Sequence, residues 1–406
     1  MKYSEKEKVS KDERDEEGNG GFRLRNLIVF VILFLAVIAT SLFMYLKSKN
    51  VDLENISLKD IVNELMDISG NNGGNKVVKE IEFGTNEKHV FAVSKGLIIK
   101  CVKNRVIAMN EEGEEQWVVP IFAANPVVKT AGSYIMVANL EGKEVYLLSG
   151  KTVKWDRKMD GNIINADVNE SGYVSVVRQE KGYRGAVTVM NKNGAQAINT
   201  KIAKKFIFMS KVSPSGKQFA INGFDASGVK PDAVVELHDF SKNNGVNLDT
   251  GDVSLFPFVE YLNNGDLAAA GDSSVYLYDG EGKVKWTKKF DNKKIMCTDL
   301  LSGDLIVVAL SDMDSSGKIT GNRTEIAVLN DVGEKTVIYS MDVRVKNMKI
   351  FSNIIAINTG TAVYYINSKG ELLGKFDSKT NISEVHFLNR QKTVLVCKSS
   401  LIINNI

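Results

Sequence analysis

Oxygen-bearing side chains at alternate positions mark one stretch of the chain as a candidate cation site. Asp312, Asp314 and Ser316 are followed by Gly317. Oxygens spaced in this way can surround a hard cation, and glycine permits the sharp bend that a calcium loop needs. The twelfth position of such a loop requires a bidentate Glu, but here it is Arg323. The pattern therefore predicts a polar hairpin tip, with calcium binding as the alternative.

No other spacing in the chain is typical of catalytic chemistry. The three histidines stand in separate strand-like runs: His89, His238 and His386. They form no His-x-His or Glu-x-x-His pair, so a catalytic zinc site is not predicted. The three cysteines are far apart in apolar runs, where they are expected to be small buried side chains: Cys101, Cys297 and Cys397. The sequence contains no G-x-S-x-G elbow or phosphate-binding glycine loop, and we predict a non-enzyme without a cofactor.

The composition bounds the class of partner. The chain has 406 residues, of which 44% are hydrophobic and 25% charged, and its formal net charge is +3. These values are ordinary for a globular protein, and the charge is too small to predict a nucleic-acid partner.

The N-terminal region has the pattern of a membrane anchor. Residues 27–46 carry no charge, and 20 helical residues span about 30 Å, the thickness of a bilayer core. Residues 1–26 combine seven Lys or Arg with seven Asp or Glu and are predicted to be a disordered cytoplasmic tail. A cleavable signal peptide ending near Ala39 is the alternative. We favour an uncleaved transmembrane helix, which places the following domain outside the cytoplasm.

A juxtamembrane segment, residues 47–75, separates the anchor from the main domain. Within it, residues 57–68 place apolar side chains at helical spacing behind Ser57 as the N-cap. We predict a short amphipathic helix that docks on the domain, lies on the membrane, or pairs with a second copy. Residues 70–75, GNNGGN, are predicted to be a flexible joint.

A short phrase recurs through the rest of the chain. In DGEGKVKW, residues 279–286, an Asp is followed after three residues by Gly282 and after seven by Trp286. Asp or Asn can cap a tight turn, glycine supplies positive φ, and the large residue faces inward on the next strand. Close copies begin at Asn110, Asn191, Asn330 and Asn367, and looser copies lie at 145–150, 235–239 and 401–405. The phrase therefore occurs eight times.

Each copy lies in a unit of about 40 residues with four strand-like runs, which is typical of a β-propeller blade. We predict an all-β, eight-bladed propeller over residues 76–406. The last unit has three strands, so the spare strand at 77–83 is expected to complete it and close the ring. Seven blades are the alternative if the irregular fourth unit is not a blade.

The repeats resemble those of the quinoprotein-dehydrogenase-like propellers, a PQQ-like and WD40-like repeat family. The resemblance is carried by three glycine and tryptophan pairs: Gly113 with Trp117, Gly150 with Trp155, and Gly282 with Trp286. With its anchor, the chain also looks like membrane-anchored propellers of low-GC Gram-positive bacteria. Enzymes of the group bind pyrroloquinoline quinone and calcium, which implies adjacent cysteines that this sequence lacks. The resemblance therefore implies a binding protein, similar to the propeller lipoprotein of outer-membrane assembly.

Three expanded loops are the predicted partner surface. They cover residues 179–185, 225–232 and 311–325 and are expected on one sector of one face, because each joins the second and third strands of its unit. The predicted contacts are amphipathic or charged side chains: Tyr183, Arg184, Lys230 and Arg323. Loops that solvent merely tolerates are the alternative.

These observations favour a non-catalytic binding or scaffold module that acts on a protein or envelope component. The alternative is an envelope enzyme or a small-molecule sensor that uses the central channel. An enzyme predicts paired carboxylates of perturbed pKa in the channel, whereas a scaffold predicts a bland channel and a polar, aromatic-bearing loop face.

Overall fold

A computed structural model describes residues 77–242, 245–302 and 304–406. Within these ranges, 32 strands form eight four-stranded antiparallel sheets. The prediction of an eight-bladed β-propeller is confirmed. The predicted helices at 27–46 and 57–68 lie outside the described residues.

The first four blades follow one another along the chain after an initial strand, β1 (Val77–Glu82). Blade 1 contains β2 (Val90–Ser94), β3 (Leu97–Val102), β4 (Arg105–Met109) and β5 (Glu115–Pro120). Blade 2 contains β6 (Pro126–Ala131), β7 (Tyr134–Asn139), β8 (Glu144–Ser149) and β9 (Thr152–Lys158). Blade 3 contains β10 (Ile163–Val168), β11 (Val174–Arg178), β12 (Gly185–Met190) and β13 (Gln196–Ile202). Blade 4 contains β14 (Phe206–Val212), β15 (Gln218–Asp225), β16 (Asp232–Asp239) and β17 (Val246–Asn247).

The remaining strands form blades 5 to 8. Blade 5 contains β18 (Phe258–Tyr261), β19 (Leu267–Ala270), β20 (Ser274–Tyr278) and β21 (Val284–Lys289). Blade 6 contains β22 (Lys293–Leu301), β23 (Leu305–Met313), β24 (Ile319–Leu329) and β25 (Lys335–Met341). Blade 7 contains β26 (Asn347–Phe351), β27 (Ile354–Asn358), β28 (Ala362–Asn367) and β29 (Leu372–Asp377). Blade 8 contains β30 (Glu384–Phe387), β31 (Lys392–Val396), β32 (Ser400–Asn405) and, as its outer strand, β1.

Burial along the strands follows their position in a blade. The second and third strands are almost continuously apolar and buried, as in β11 and β20. The outer strand β21 alternates between half-buried and exposed residues, with Trp286 on the half-buried side and Lys285 and Lys289 on the exposed side. Alternation with period two is expected of a strand with one solvated face.

The two ends of the domain meet in blade 8. β1 pairs antiparallel with β32, with Ile81 opposite Leu401 and Glu82 opposite Ser400. The backbone N–H of Phe83 donates to Ser399 O at 2.9 Å just beyond the ladder. This pairing closes the ring without a covalent link between its first and last strands.

The fourth blade is genuine but irregular. Its outer strand, β17, has only two residues, which pair with Glu236 and Leu237 of β16. The next residues continue the edge with single hydrogen bonds, including Leu248 N–H to Val235 O at 2.9 Å. The alternative of seven blades is therefore wrong.

The hydrophobic core lies between blades. In the described ranges, each of the eight apolar clusters combines side chains from two neighbouring blades. One cluster joins blades 5 and 6 through Leu277 and Val308, and another joins blades 8 and 1 through Ile403 and Ile98. Since a single four-stranded sheet cannot cover both of its faces, each blade depends on its neighbours for burial.

The recurring phrase forms the contact between blades. The ring of Trp286 on β21 packs on Gly333 in the third-to-fourth-strand turn of blade 6, and the Trp286 indole N–H donates to Asp331 O at 2.9 Å. Trp155 packs on Gly194 of blade 3 in the same way, and Ile81 of β1 packs on Gly113 of blade 1. At these three positions the docking residue of one blade meets the turn glycine of the next, whereas a Cβ added at Gly150 of blade 2 would have no atom within 4 Å.

The turns themselves are held by their first residue. The side-chain oxygen of Asp279 accepts hydrogen bonds from the N–H groups of Glu281 and Lys283 at 3.0 and 2.9 Å, and Gly282 has φ of 87°. The same pair of hydrogen bonds is made by Asn110, Asn191, Asn330 and Asn367. Asp or Asn is required as the acceptor, and glycine is required for the positive φ.

Two glycine substitutions separate backbone strain from blade contact. Gly333 and Gly317 have φ values of 79° and 81°, but an added Cβ would lie 2.8 Å from the Trp286 ring at Gly333 and near nothing at Gly317. We expect Gly317→Ala to lower the free energy of unfolding by about 1 kcal/mol through strain alone. Gly333→Ala should cost about 2 kcal/mol more, because the Trp286 ring must move. Urea denaturation of both variants measures the difference, and equal losses would contradict the docking role.

Candidate functional site

The antiparallel order of each blade separates its turns onto two faces of the ring. Turns after the first and third strands lie on one face, and turns after the second strand lie on the opposite face with the blade-to-blade connections. We call this second face the connection face. The uniform Asp/Asn–Gly turns are all on the other face, so the variation between blades is greatest on the connection face.

The three blades with expanded second-to-third-strand connections have a feature that the sequence did not indicate. In blades 3, 4 and 6, the first strand carries a β-bulge, at Ile164, Phe208 and Met296. The first strands of the other five blades pair without a bulge in the described ranges. A bulge bends its strand and increases the local twist. In blades 4 and 6 the second strands are also longer, with 8 and 9 residues.

The segment 311–325, predicted as a loop, is mostly strand. β23 continues to Met313 and β24 begins at Ile319, so the turn is only residues 314–318. Ser311 and Thr324 are buried opposite each other with their hydroxyl oxygens 3.2 Å apart, and the Thr324 hydroxyl donates to Val343 O. Because each hydroxyl has a hydrogen-bond partner, these two polar side chains can be buried within the β23–β24 ladder.

The carboxylate oxygens of the calcium candidate have partners within blade 6. Asp312 forms an ion pair with Lys293 at 2.7 Å. One carboxylate oxygen of Asp314 accepts hydrogen bonds from the backbone N–H groups of Ser316 and Lys318 and from the Ser316 hydroxyl, at 2.6–3.0 Å. Across the described ranges, no three His, Cys, Asp or Glu side chains converge as a metal site. The structure shows a capped polar tip.

A buried arginine anchors the connection of blade 3. Arg178 is 1% exposed, and its guanidinium donates to Thr188, to Asn199 and, in a short contact, to the carboxylate of Glu180. Glu180 also accepts from Lys201 at 2.8 Å. The hydrogen bonds from Lys201 and Arg178 lower the pKa of Glu180. The 179–184 turn therefore contains the counter-ion of a buried cation, which sequence reasoning missed.

The predicted contact residues of blades 3 and 4 lie against aromatic rings or are exposed to solvent. The Arg184 guanidinium lies 4.7 Å from the centroid of Phe206, which stacks on Phe224 at 5.2 Å. Tyr183 is 44% exposed, and the Lys201 ammonium lies 5.4 Å from its ring centroid. Lys230 is exposed at the tip of blade 4.

Arg323 is separated from the other three predicted contacts. It lies on blade 6, where it is 58% exposed and 3.6 Å from the carboxylate of Glu325. Blade 5 stands between, and its second and third strands are joined by residues 271–273 alone. Tyr183, Arg184 and Lys230 share neighbouring blades, so the predicted sector has two parts.

The central channel is surrounded by the first strands, which pack on one another from blade to blade, as β2 does with β6 and β10 with β14. Strand register places one first-strand residue of each blade at the same level. In blade 4, Lys211 is opposite Ala220 and Ala220 is opposite Leu237, two residues before the turn residue Asp239. The equivalent residues, which we call the channel belt, are Ala92, Lys129, Asp167, Lys211, Glu260, Asp299, Lys349 and His386.

Ion pairs join the belt across blades. The Lys129 ammonium lies 2.8 Å from Asp167, Asp167 lies 2.9 Å from Lys211, and Lys211 lies 2.6 Å from Glu260. A second pair, Asp299 with Lys349 at 3.5 Å, links blades 6 and 7. The channel is therefore not bland, and these carboxylates are bonded to lysines rather than to one another.

The two inner carboxylates have opposite pKa shifts. Burial alone would raise the pKa of Asp167, but the ammonium groups of Lys211 and Lys129 outweigh it and lower the pKa. Burial raises the pKa of Glu260, and the attraction of Lys211 does not fully offset it. A carboxylate between two cations is favoured in its charged form, whereas one beside a shared cation is not.

A cavity of about 550 Å³ opens beside the first strands of blades 8, 1 and 2. It is lined by apolar and polar side chains that include Phe83, His89, Leu140 and Glu384. Burial lowers the pKa of His89, with a smaller contribution from Lys100.

No helix within the described ranges is long and apolar enough to cross a membrane.

Loss of the Glu180 charge should destabilise the fold, because it removes the close carboxylate partner of the buried Arg178 and leaves only the exposed Asp160 nearby. We expect Glu180→Gln to lower the melting temperature by about 5 °C. Asp160→Asn is the matched control, since Asp160 is 88% exposed and 3.9 Å from Arg178, and should change it little. Equal effects of the two variants in a thermal melt would show that Glu180 does not serve as this counter-ion.

Substitutions in the channel belt should show opposite pH trends. The lowered pKa of Asp167 means that its contribution is present above its ordinary value of 3.8 and is lost as pH falls. Asp167→Asn should therefore lower the free energy of unfolding by about 3 kcal/mol near pH 7, with a smaller loss in acid. The raised pKa of Glu260 means that its contribution is lost as pH rises above 4.5.

Glu260→Gln should therefore gain stability relative to the unsubstituted chain as pH rises from about 4 to about 8. Urea denaturation at several pH values tests both variants. Parallel pH trends for Asp167→Asn and Glu260→Gln would contradict the assignment of opposite shifts.

Solved structures of other propellers share this fold. The C-terminal WD40 domain of Sif2 superposes with a TM-score of 0.60 at 11% identity, over 83% of this chain and 99% of that one. BamB from Moraxella catarrhalis gives 0.52 at 14% identity, over 82% and 100%. Sqt1 from Chaetomium thermophilum, solved bound to the N-terminus of the ribosomal protein L10, gives 0.59 at 9% identity, over 82% and 100%. At these identities the likeness shows the fold alone.

No curated protein sequence matches the chain. Residues 71–403, most of its length, match the profile of DUF5711, a family of unknown function, and the chain therefore belongs to that family.

Proposed function

We propose that this chain is a non-catalytic binding module, anchored in the cell membrane by the 27–46 helix, whose connection face holds a protein or envelope component outside the cytoplasm. The observation that carries the proposal is the contrast between the two faces. On one face, five blades repeat the same capped turn, whereas the other face has three expanded connections with exposed aromatic and charged tips. Unequal connections on a regular scaffold are a common location for binding.

Two further observations support the proposal. Sqt1, a propeller of the same general fold, has been solved with a segment of a protein partner. Asp167 and Glu260 of the channel belt each form an ion pair with a lysine of a neighbouring blade, an arrangement that at these two carboxylates favours an inter-blade link over acid–base catalysis. The quinoprotein type of repeat and the low-GC Gram-positive source remain part of the proposal.

An envelope enzyme or small-molecule sensor is the second candidate. It is favoured by the cavity of about 550 Å³ beside blades 8, 1 and 2. Such a role would place the ligand at the channel and leave the hairpin tips without a function.

Crosslinking and pull-down from native membranes with the full-length chain test the proposal. Blade 6 can be shortened by joining Ser311 to Thr324 through Asn-Gly, because the two are paired in the ladder. Blade 4 can be shortened in the same way between the paired residues Asp225 and Asp232. Blade 3 must keep its turn, which contains Glu180, so Tyr183→Ala is used there.

We expect the tip variants to lose a specific envelope protein while their melting temperature changes by less than about 2 °C. The control is Val332→Ala on the opposite face, where Val332 is 61% exposed, and it should retain the protein. Recovery that is the same with and without the tips would contradict the site. Recovery of nothing would favour the channel alternative, and release of the chain from membranes by a high-salt wash would contradict the anchor.

A further inference from the structure

Basic residues are concentrated on the connection face of blades 3 and 4. Segments 178–184, 201–205 and 225–232, which we call the basic sector, contain seven Lys or Arg and three Asp or Glu. This excess of four exceeds the formal net charge of the whole chain, +3. The corresponding hairpin of blade 6, 311–325, has two basic and three acidic residues. The basic sector therefore carries a net positive charge that the blade 6 hairpin lacks.

Ion pairs within the domain neutralise only part of the positive charge of the basic sector. Arg178 is buried and pairs with Glu180, which also pairs with Lys201 at 2.8 Å, and Lys205 pairs with Glu236 at 2.7 Å. Four other cations have exposed side chains: Lys181, Arg184, Lys204 and Lys230. These four can meet an anionic partner without breaking a contact that the fold needs.

Apolar surface lies among the exposed cations. Tyr183 is 44% exposed and Val229 is fully exposed, and both stand at hairpin tips. The Arg184 guanidinium lies over the Phe206 ring at 4.7 Å, and the Lys201 ammonium lies over Tyr183 at 5.4 Å. A cation placed on an aromatic ring loses little further conformational freedom when it binds an anion.

We propose that the basic sector binds a short extended acidic segment of a protein partner, with an apolar or aromatic residue among its carboxylates. The proposal rests on the binding function proposed above and names its partner chemistry. Charge complementarity supplies orientation and a fast encounter, while Tyr183 and Val229 supply apolar contact area.

The carboxylates within the sector favour a peptide over a continuous polyanion. Asp232 is exposed at the start of β16, two residues after Lys230, and Asp160 is 88% exposed beside Arg178. Glu180 lies between Arg178 and Lys201. A nucleic acid or an anionic bilayer presents phosphate at every step and would meet these groups, whereas a peptide can place neutral residues opposite them.

Fluorescence anisotropy of the purified full-length chain in neutral detergent tests the proposal. The probe is a fluorescein-labelled peptide in which Glu alternates with Leu and Tyr, and the matched peptide has Gln for every Glu. We expect the acidic peptide to bind about tenfold more tightly than the Gln peptide. Its affinity should fall as salt is raised, because the exposed charges are screened.

Charge reversal at exposed positions then locates the site. Lys204→Glu with Lys230→Glu should weaken binding of the acidic peptide about tenfold. Lys151→Glu with Lys154→Glu makes the same charge change on blade 2, at exposed positions in and after the turn of the opposite face, and should leave the affinity unchanged. Equal melting temperatures of the two double variants confirm that the comparison reports binding.

Three results would overturn the proposal. They are equal binding of the acidic and Gln peptides, equal losses from the two double variants, or tighter binding of a single-stranded oligonucleotide or of phosphatidylglycerol-containing micelles than of the acidic peptide. If the hairpin variants still lose their membrane partner while the acidic peptide does not bind, the binding function stands and the partner chemistry is wrong. If the acidic peptide binds but the hairpin variants recover the same protein from native membranes as the unsubstituted chain does, the proposed function fails instead.

Discussion

The contact between the docking residue of one outer strand and the turn glycine of the next blade is the constraint on which the ring depends. At Gly333 and Gly194, the neighbouring tryptophan ring occupies the space where a Cβ would stand. Each blade buries its faces only against its neighbours, so where this contact is made it sets the angle at which the two blades enclose their shared apolar layer. The constraint acts on one face, which leaves the hairpins of the connection face free to differ in length and charge.

The inner edge of the blades is joined by different chemistry. Near the axis, lysine and carboxylate side chains of the channel belt bridge neighbouring blades, as Lys211 does between Asp167 and Glu260. Partly buried ion pairs add little net stability but are costly to break singly, so they favour one arrangement of the blades over others. Blades 2 to 5, and blades 6 and 7, are thus also joined at their inner edge by charge pairing, in addition to the apolar packing between blades.

Local spacing made the blades, their turns and the docking residues predictable from the sequence, because each turn combines an acceptor, a glycine and a large side chain within eight residues. Features that depend on distant partners were not predictable. Arg178 resembles an ordinary surface charge until Thr188 and Asn199 are placed around it. A bulge such as that at Phe208 adds one residue without a change of composition. The channel belt is visible in the sequence as one charged residue in most first strands. The strand register is needed to show that these residues lie at the same level in the channel.

Closure by β1 has a mechanical consequence. The antiparallel ladder between β1 and β32 closes the ring. β1 begins at the end of this ladder where Val77 is opposite Asn404. Tension on the preceding segment would therefore reach blade 8 first, where hydrogen bonds and the contact of Ile81 with blade 1 resist it. A partner held on the far side of the ring would pull against this one seam. Single-molecule extension from the N-terminus would measure the force at which it opens.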